Sequence, residues 1–156
     1  AGLVIAIGAP ASRLELADVT VALDAEPPDQ REATIRDLTG GRGVDVGIEA
    51  AGRPEAVEEG LRLLRDGGTY VIAGHYTDGG TVTLNPHRDI NRKHADVRGQ
   101  WGTEVHHVAR ALQLLARRRD RLPFARLIGG RYDLAGAGQA LADVEALRVT
   151  KAVIVP

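Results

Sequence analysis

Short apolar runs separated by longer amphipathic stretches constrain this chain more than any other feature. Leu3–Ile7, Val19–Leu23, Val44–Glu49, Thr69–Ala73 and Ala152–Val155 are each too short for a helix and are bounded by Gly, Pro or Asp, as strands are. The stretches between them carry helical spacing. Asp29 is an N-cap candidate for a helix through Leu38, and Pro54 opens Glu55–Leu64, where Val57, Leu61 and Leu64 share one face. Glu104–Arg118 places Val105, Val108, Ala109, Leu112 and Leu115 at helical intervals, and Gly138–Leu147 forms a last helix. Ala11–Ala17 and Ile90–His94 have room for shorter helices. Thr81–Leu84 alternates like a half-buried strand after the Gly79-Gly80 turn, and Ala95–Arg98 reads as a further strand. Alternating strands and helices predict an α/β protein with a doubly wound parallel sheet covered by helices on both faces. The expected core holds Val46, Ile48, Leu61, Leu64, Val71, Ile72, Leu112, Leu115, Leu141, Val153 and Ile154.

The 156 residues suffice for one domain with a buried core, and no linker divides residues 1–156. A formal charge of −1 gives no field that would draw in nucleic acid or an anionic membrane. No apolar run approaches the roughly 18 residues that span a bilayer. The absence of cysteine excludes disulfides and thiolate zinc sites. With no targeting segment, a cytoplasmic location is the default expectation. The chain has no Met and opens at Ala1 almost directly into a strand, so Ala1 reads as an internal start.

Ligands of doubly wound sheets lie outside the carboxyl ends of the strands. Three such ends here carry small residues: Gly8-Ala9-Pro10, Ala50-Ala51-Gly52-Arg53 and Gly74-His75-Tyr76. Small residues let a flat cofactor lie against backbone. The five histidines, His75, His87, His94, His106 and His107, show no spacing that would converge on a metal. No Gly-x-Ser-x-Gly nucleophile turn occurs. Neither metal chemistry nor nucleophilic catalysis is therefore expected from this chain.

Several short motifs recur in a distinctive order: Ile48-Glu49-Ala50-Ala51-Gly52, Tyr70-Val71-Ile72-Ala73-Gly74-His75, Asn85-Pro86-His87, Lys93 to Gly99, Trp101-Gly102 and Val149 to Pro156. Together they resemble the coenzyme-binding half of the zinc-type medium-chain alcohol dehydrogenases, over nearly the whole chain. The resemblance implies a Rossmann-like domain that presents NAD or NADP for hydride transfer with an alcohol. Zinc is then expected only in a catalytic domain that this chain does not contain. Relatives usually have a ribose-holding acid where this chain has Gly8, and Arg13 nearby can accept a 2′-phosphate, so the resemblance implies NAD while this departure leaves NADP open.

By the same carry-over, Ala50, Ala51 and Arg53 lie beside adenine and its ribose. Ala73, Gly74 and His75 lie under the nicotinamide ribose, Val97 and Arg98 belong to the strand whose backbone meets the carboxamide, and Lys151 reaches the pyrophosphate. Two departures stand out. The Gly-x-Gly-x-x-Gly turn that holds the pyrophosphate in this fold does not occur, so cofactor binding by the chain itself is expected to be weak or lost. The connection from Ile7 to Val19 is also short for a parallel crossover. The first implied function is the cofactor platform of a dehydrogenase. The alternative is a non-catalytic domain used for self-association. Relatives pair the region of Thr81–Leu84 across a twofold axis, which implies a homodimer through that edge, with Gln100-Trp101-Gly102 nearby.

Overall fold

The computed structural model describes residues 2–118 and 124–156. They form two compact units, one of Glu26–Gly102 and one combining Ala1–Ala25 with Thr103–Pro156.

The Glu26–Gly102 unit is built on three parallel strands. These are β3 (Val44–Glu49), β4 (Leu64–Ile72) and β5 (Asp96–Gly99), with β4 central. In register, Ile48 lies opposite Val71 and Glu49 opposite Ile72, while Ile72 also lies opposite Gly99. The helix α2 (Pro54–Leu63) supplies the β3-to-β4 crossover, and Pro54 sits in its first turn where a missing N–H costs nothing. Val57, Leu61, Leu64 and Tyr70 form the buried cluster beneath it, with Val44, Ile72, Val82, Leu84 and Ala95 packed around them. Tyr70 fits because Gly47 and Gly60 leave room for its ring, and its hydroxyl donates to the Ala56 carbonyl at 2.7 Å.

Helix α2 ends abruptly at Leu63, and the chain turns straight into β4. The sequence places Asp66-Gly67-Gly68 after the helix as a loop. Instead those residues lie inside β4, at an irregularity in its pairing with β3. Such a helix end leaves carbonyls without intrahelical partners. Lys93 meets them: its ammonium donates to the carbonyls of Leu61 (2.7 Å), Arg62 (3.0 Å) and Leu64 (2.8 Å). Burial holds its pKa below the usual lysine value. Helix α1 (Pro28–Leu38) packs on α2 through a two-pronged ion pair. Arg31 Nε and Nη2 each lie 2.7 Å from an oxygen of Glu59.

Other sequence expectations meet a different outcome in this unit. Thr81–Leu84 alternates as expected, with Val82 and Leu84 packed against the α2 cluster, but it joins no ladder within the chain. Val46 and Ile48 are 58% and 69% exposed rather than buried. They alternate away from the α2 side, on the opposite face of the sheet. A single turn over Pro86–Asn91, started by Asn85 accepting from the Arg88 N–H, replaces the helix expected at Ile90–His94.

The other unit has two parallel pairs, β1 (Ile5–Gly8) with β2 (Val19–Ala22) and β6 (Gly130–Tyr132) with β7 (Ala152–Ile154). Ala11–Ala17 does not make the expected helix. Only a 3-10 turn, Ala11–Arg13, fits in the short connection. Strand β6 has three residues, of which only Tyr132 is a strong strand former, and the sequence reading missed it. Helices α3 (Val105–Arg118) and α4 (Ala137–Glu145) complete the unit. Leu112, Leu115, Leu141 and Ile154, expected in the core, are exposed at 61%, 39%, 74% and 40%. Val153 is half-buried, as Val71 and Ile72 are in the other unit. The helical periodicity is real, but every residue of α3 faces solvent.

Candidate functional site

Strands β3 and β4 end side by side, and the loops that leave them are drawn together by one carboxylate. Glu49, the last residue of β3, has a fully buried side chain. Its Oε1 accepts the N–H groups of Ala51 (2.7 Å) and Gly52 (2.6 Å). Its Oε2 accepts the N–H of Gly74, at 3.0 Å, from the loop after β4. The Glu49 carbonyl also accepts the Ala73 N–H at 2.9 Å, which extends the ladder by one rung.

The two loops touch backbone to backbone. Gly52 has φ +69°, a left-handed conformation that favours glycine. A Cβ there would come within 2.7 Å of the Gly74 oxygen, and a Cβ on Gly74 would lie 2.7 Å from Ala51 N. Beside this contact His75 Nε2 lies 3.8 Å from Glu49 Oε2. It is buried and has no hydrogen-bond partner, although the ring as a whole is partly open to solvent.

Ala50, Ala51, Ala73, Gly74 and His75 thus meet at one ledge. Three other expected residues do not reach it. Arg53 is exposed at the start of α2 and pairs with Glu55 at 3.5 Å. Arg98 lies opposite Val71, a rung before the strand ends, and its guanidinium turns to Asp96 at 2.9 Å. That pairing holds Asp96 below the usual carboxylate pKa and Arg98 above the usual guanidinium one. Val97 lies opposite Tyr70 and is 38% exposed. The ladder instead continues through Gln100, whose N–H reaches the Ile72 carbonyl at 2.9 Å. On the β5 side the carboxyl end is therefore Gly99-Gln100-Trp101. Trp101, 76% exposed, stands against Tyr76 with ring centroids 5.7 Å apart.

The other unit holds the remaining three candidates. Gly8 ends β1, and a Cβ on it would press on Leu14 Cδ2 at 2.9 Å. Arg13 and Lys151, 138 residues apart in sequence, line one open cavity of about 580 Å³. Its wall is otherwise mostly apolar, from Ala140, Leu141 and Val144 on α4 and from Ala152 and Ile154 on β7. An anion with an apolar body fits such a lining.

Sequence reasoning missed Glu49 as a structural centre and Tyr76 with Trp101 as a pair. The first had a signal: an acidic residue ends an apolar strand immediately before Ala-Ala-Gly, where a buried carboxylate can collect N–H groups. Among the described residues no group of three or more His, Cys, Asp or Glu could hold a metal ion. Among them, too, no helix is long and apolar enough to cross a membrane.

Parallel strands joined by a helical crossover, with close-packed glycines at their carboxyl ends, belong to the doubly wound α/β class. The comparisons give the family. The model of the zinc-binding dehydrogenases matches residues 1–117, and the chain belongs to that family. A 5-exo-hydroxycamphor dehydrogenase of Pseudomonas putida is 36% identical over 135 residues, covering 86% of this chain and 37% of that protein. The structure is similar to an alcohol dehydrogenase of Thermotoga maritima, with TM-score 0.90 and 30% identity over 97% of this chain and 42% of the other. It is also similar to a protein of Sinorhizobium meliloti described as a zinc-binding dehydrogenase and solved bound to NADP. That match has TM-score 0.83 and 31% identity over 100% of this chain and 46% of the other. The chain thus spans less than half the length of each of these relatives.

Proposed function

We propose that this chain is the cofactor platform of an alcohol-oxidising zinc-binding dehydrogenase, holding NAD or NADP at the ledge formed by the Gly52 and Gly74 loops. The observation that carries this reading is the backbone contact of those loops, fixed by Glu49 and bordered by the unpartnered His75 Nε2. Glycines there leave backbone open to a flat ligand, and the partly exposed His75 ring borders it. When bound, the nicotinamide ring accepts or returns the hydride. The residues of this chain position and hold it, and none of them moves the proton of the alcohol. Zinc appears in the family's name, but the donor set among the described residues does not fit it, and no step is assigned to it.

The Arg13 and Lys151 cavity suits a phosphate-bearing group. With Gly8 in place of an acid, nothing at that position repels a 2′-phosphate, which favours NADP. Calorimetry with NADP and NAD tests the reading. Weak but saturable binding is expected, tighter for NADP. Absence of saturable binding of both cofactors at millimolar concentration would overturn the proposal.

A second reading, self-association, is favoured by the exposed apolar side chains Val46 and Ile48 on the sheet and Leu112, Leu114 and Leu115 on α3. A homodimer through the unpaired backbone of Thr81–Leu84 belongs to it. Thr83→Pro removes one N–H from that backbone without entering the core, because Thr83 is exposed. Light scattering should then show a wild-type dimer and a weakened variant. A wild-type monomer at tens of micromolar would end this reading.

A further inference from the structure

The carboxylate of Glu49 is costly to bury, and its surroundings say why it is there. A buried charge is tolerated only where hydrogen bonds replace its water. Here three backbone N–H groups do so, two from the loop after β3 and one from the loop after β4. The acceptors divide between the loops: Oε1 takes Ala51 and Gly52, and Oε2 takes Gly74. A carboxylate accepts at both oxygens, whereas an amide must turn its NH₂ toward one of these donors. An apolar side chain would leave all three N–H groups without a partner. An acidic side chain of this length meets both loops at once.

We infer that Glu49 is a positioning residue that clasps the two loops into one rigid ledge and so fixes the distance between the two halves of a dinucleotide lying across them. This rests on the cofactor reading above, in which the β3 loop meets the adenosine side and the β4 loop the nicotinamide side. The clasp explains why neither Gly52 nor Gly74 has room for a Cβ: the carboxylate pulls their backbones into contact. It also places His75 Nε2, buried, beside Oε2 without a hydrogen bond of its own. A dinucleotide gains affinity over its adenosine half only if the second subsite stands at a fixed distance from the first. Loosening the clasp should therefore cost the dinucleotide more than the half.

The test uses the full chain as wild type, Glu49→Gln and Glu49→Asp, with NADPH and adenosine 2′,5′-bisphosphate as probes. Binding is read from Trp101, the single Trp of the chain, which stands at this end of the sheet. Amide hydrogen exchange is followed at Ala51, Gly52 and Gly74. Glu49→Gln should speed exchange at these three amides while the α2 and β4 amides keep their protection. It should weaken NADPH by about tenfold, with the bisphosphate changed by less than about twofold. Glu49→Asp keeps both acceptors but is one carbon shorter, and should recover part of the loss.

Equal weakening of both probes, or NADPH binding as tight as wild type with Gly74 exchange accelerated, would overturn the positioning role. Unchanged exchange at Gly74 in Glu49→Gln would overturn the clasp itself. A wild type that binds neither probe would instead refute the cofactor reading and its positioning corollary, while the exchange measurement still judges the clasp.

Discussion

The two compact units hold their side chains in opposite ways. In the Glu26–Gly102 unit Ile35, Leu61 and Leu64 are fully buried, and Arg31, Glu49 and Asp89 are buried with them. Each of these polar groups is satisfied: Arg31 by Glu59, Glu49 by three N–H groups, and Asp89 by Arg88 and the Asn85 N–H. In the other unit only Leu14, Val21 and Ala140 are buried among the described residues, and the longest helix buries nothing. Buried polar groups are tolerated where packing around them is complete, and they then specify one arrangement. The ledge of candidate residues stands in the unit that has such packing.

The contrast can be broken most forcefully in the α2 cluster. Leu64→Ala should destabilise the Glu26–Gly102 unit by roughly 2–5 kcal/mol, read as an early loss of its amide protection. A loss well below 1 kcal/mol would show that this core is not what holds the unit. Arg31→Ala should cost about 3 kcal/mol, because it leaves the Glu59 carboxylate partly buried without its two-pronged partner. Thermal melts of Arg31→Ala against Glu59→Gln check it. If both variants melt as wild type does, the α1–α2 ion pair is only decorative.

Tyr70 gives the contrast a pH signature. Its phenol is pushed above the ordinary value, chiefly by burial and then by the charges of Glu49 and Glu59. The folded state therefore favours the neutral phenol. That contribution is fully present below the unfolded value near 10 and is lost as the pH rises through the higher folded value. Stability should fall above about pH 10. Tyr70→Phe should cost about 1 kcal/mol at neutral pH, through the lost bond to Ala56, and should show a shallower alkaline fall. An identical alkaline fall in wild type and variant would contradict the burial of the phenol. The smallest effect belongs to the other unit. Leu112→Lys on α3 should change stability by less than about 0.5 kcal/mol, since Leu112 already faces solvent. A large loss in a melt would mean that α3 is covered in solution.

Much of this was legible in the sequence. The runs Val44–Glu49 and Thr69–Ala73, with α2 between them, announce a parallel crossover, and Leu61 and Leu64 are core in both readings. The small residues after β3 and β4 mark the place where the loops meet. What the sequence could not show is which apolar face is covered. Val46 and Leu61 look alike as apolar residues on periodic elements, and only the position of α2 separates an open residue from a buried one. The partners of Arg31 and Lys93 were equally hidden. They lie 28 and about 30 residues away, and a long basic side chain looks like surface until a helix end or a carboxylate is brought to it. The alternation of Thr81–Leu84 was legible too, and Val82 and Leu84 pack as it implies.

The central claim is that the loops after β3 and β4 form one ledge for a nicotinamide dinucleotide. Amide chemical-shift mapping of the full chain during titration with NADP tests it most directly. Saturable shifts concentrated at Ala51, Gly52, Ala73, Gly74 and His75 are expected, with a matching change at the Trp101 indole. Saturable shifts elsewhere that leave these five amides unmoved would contradict it.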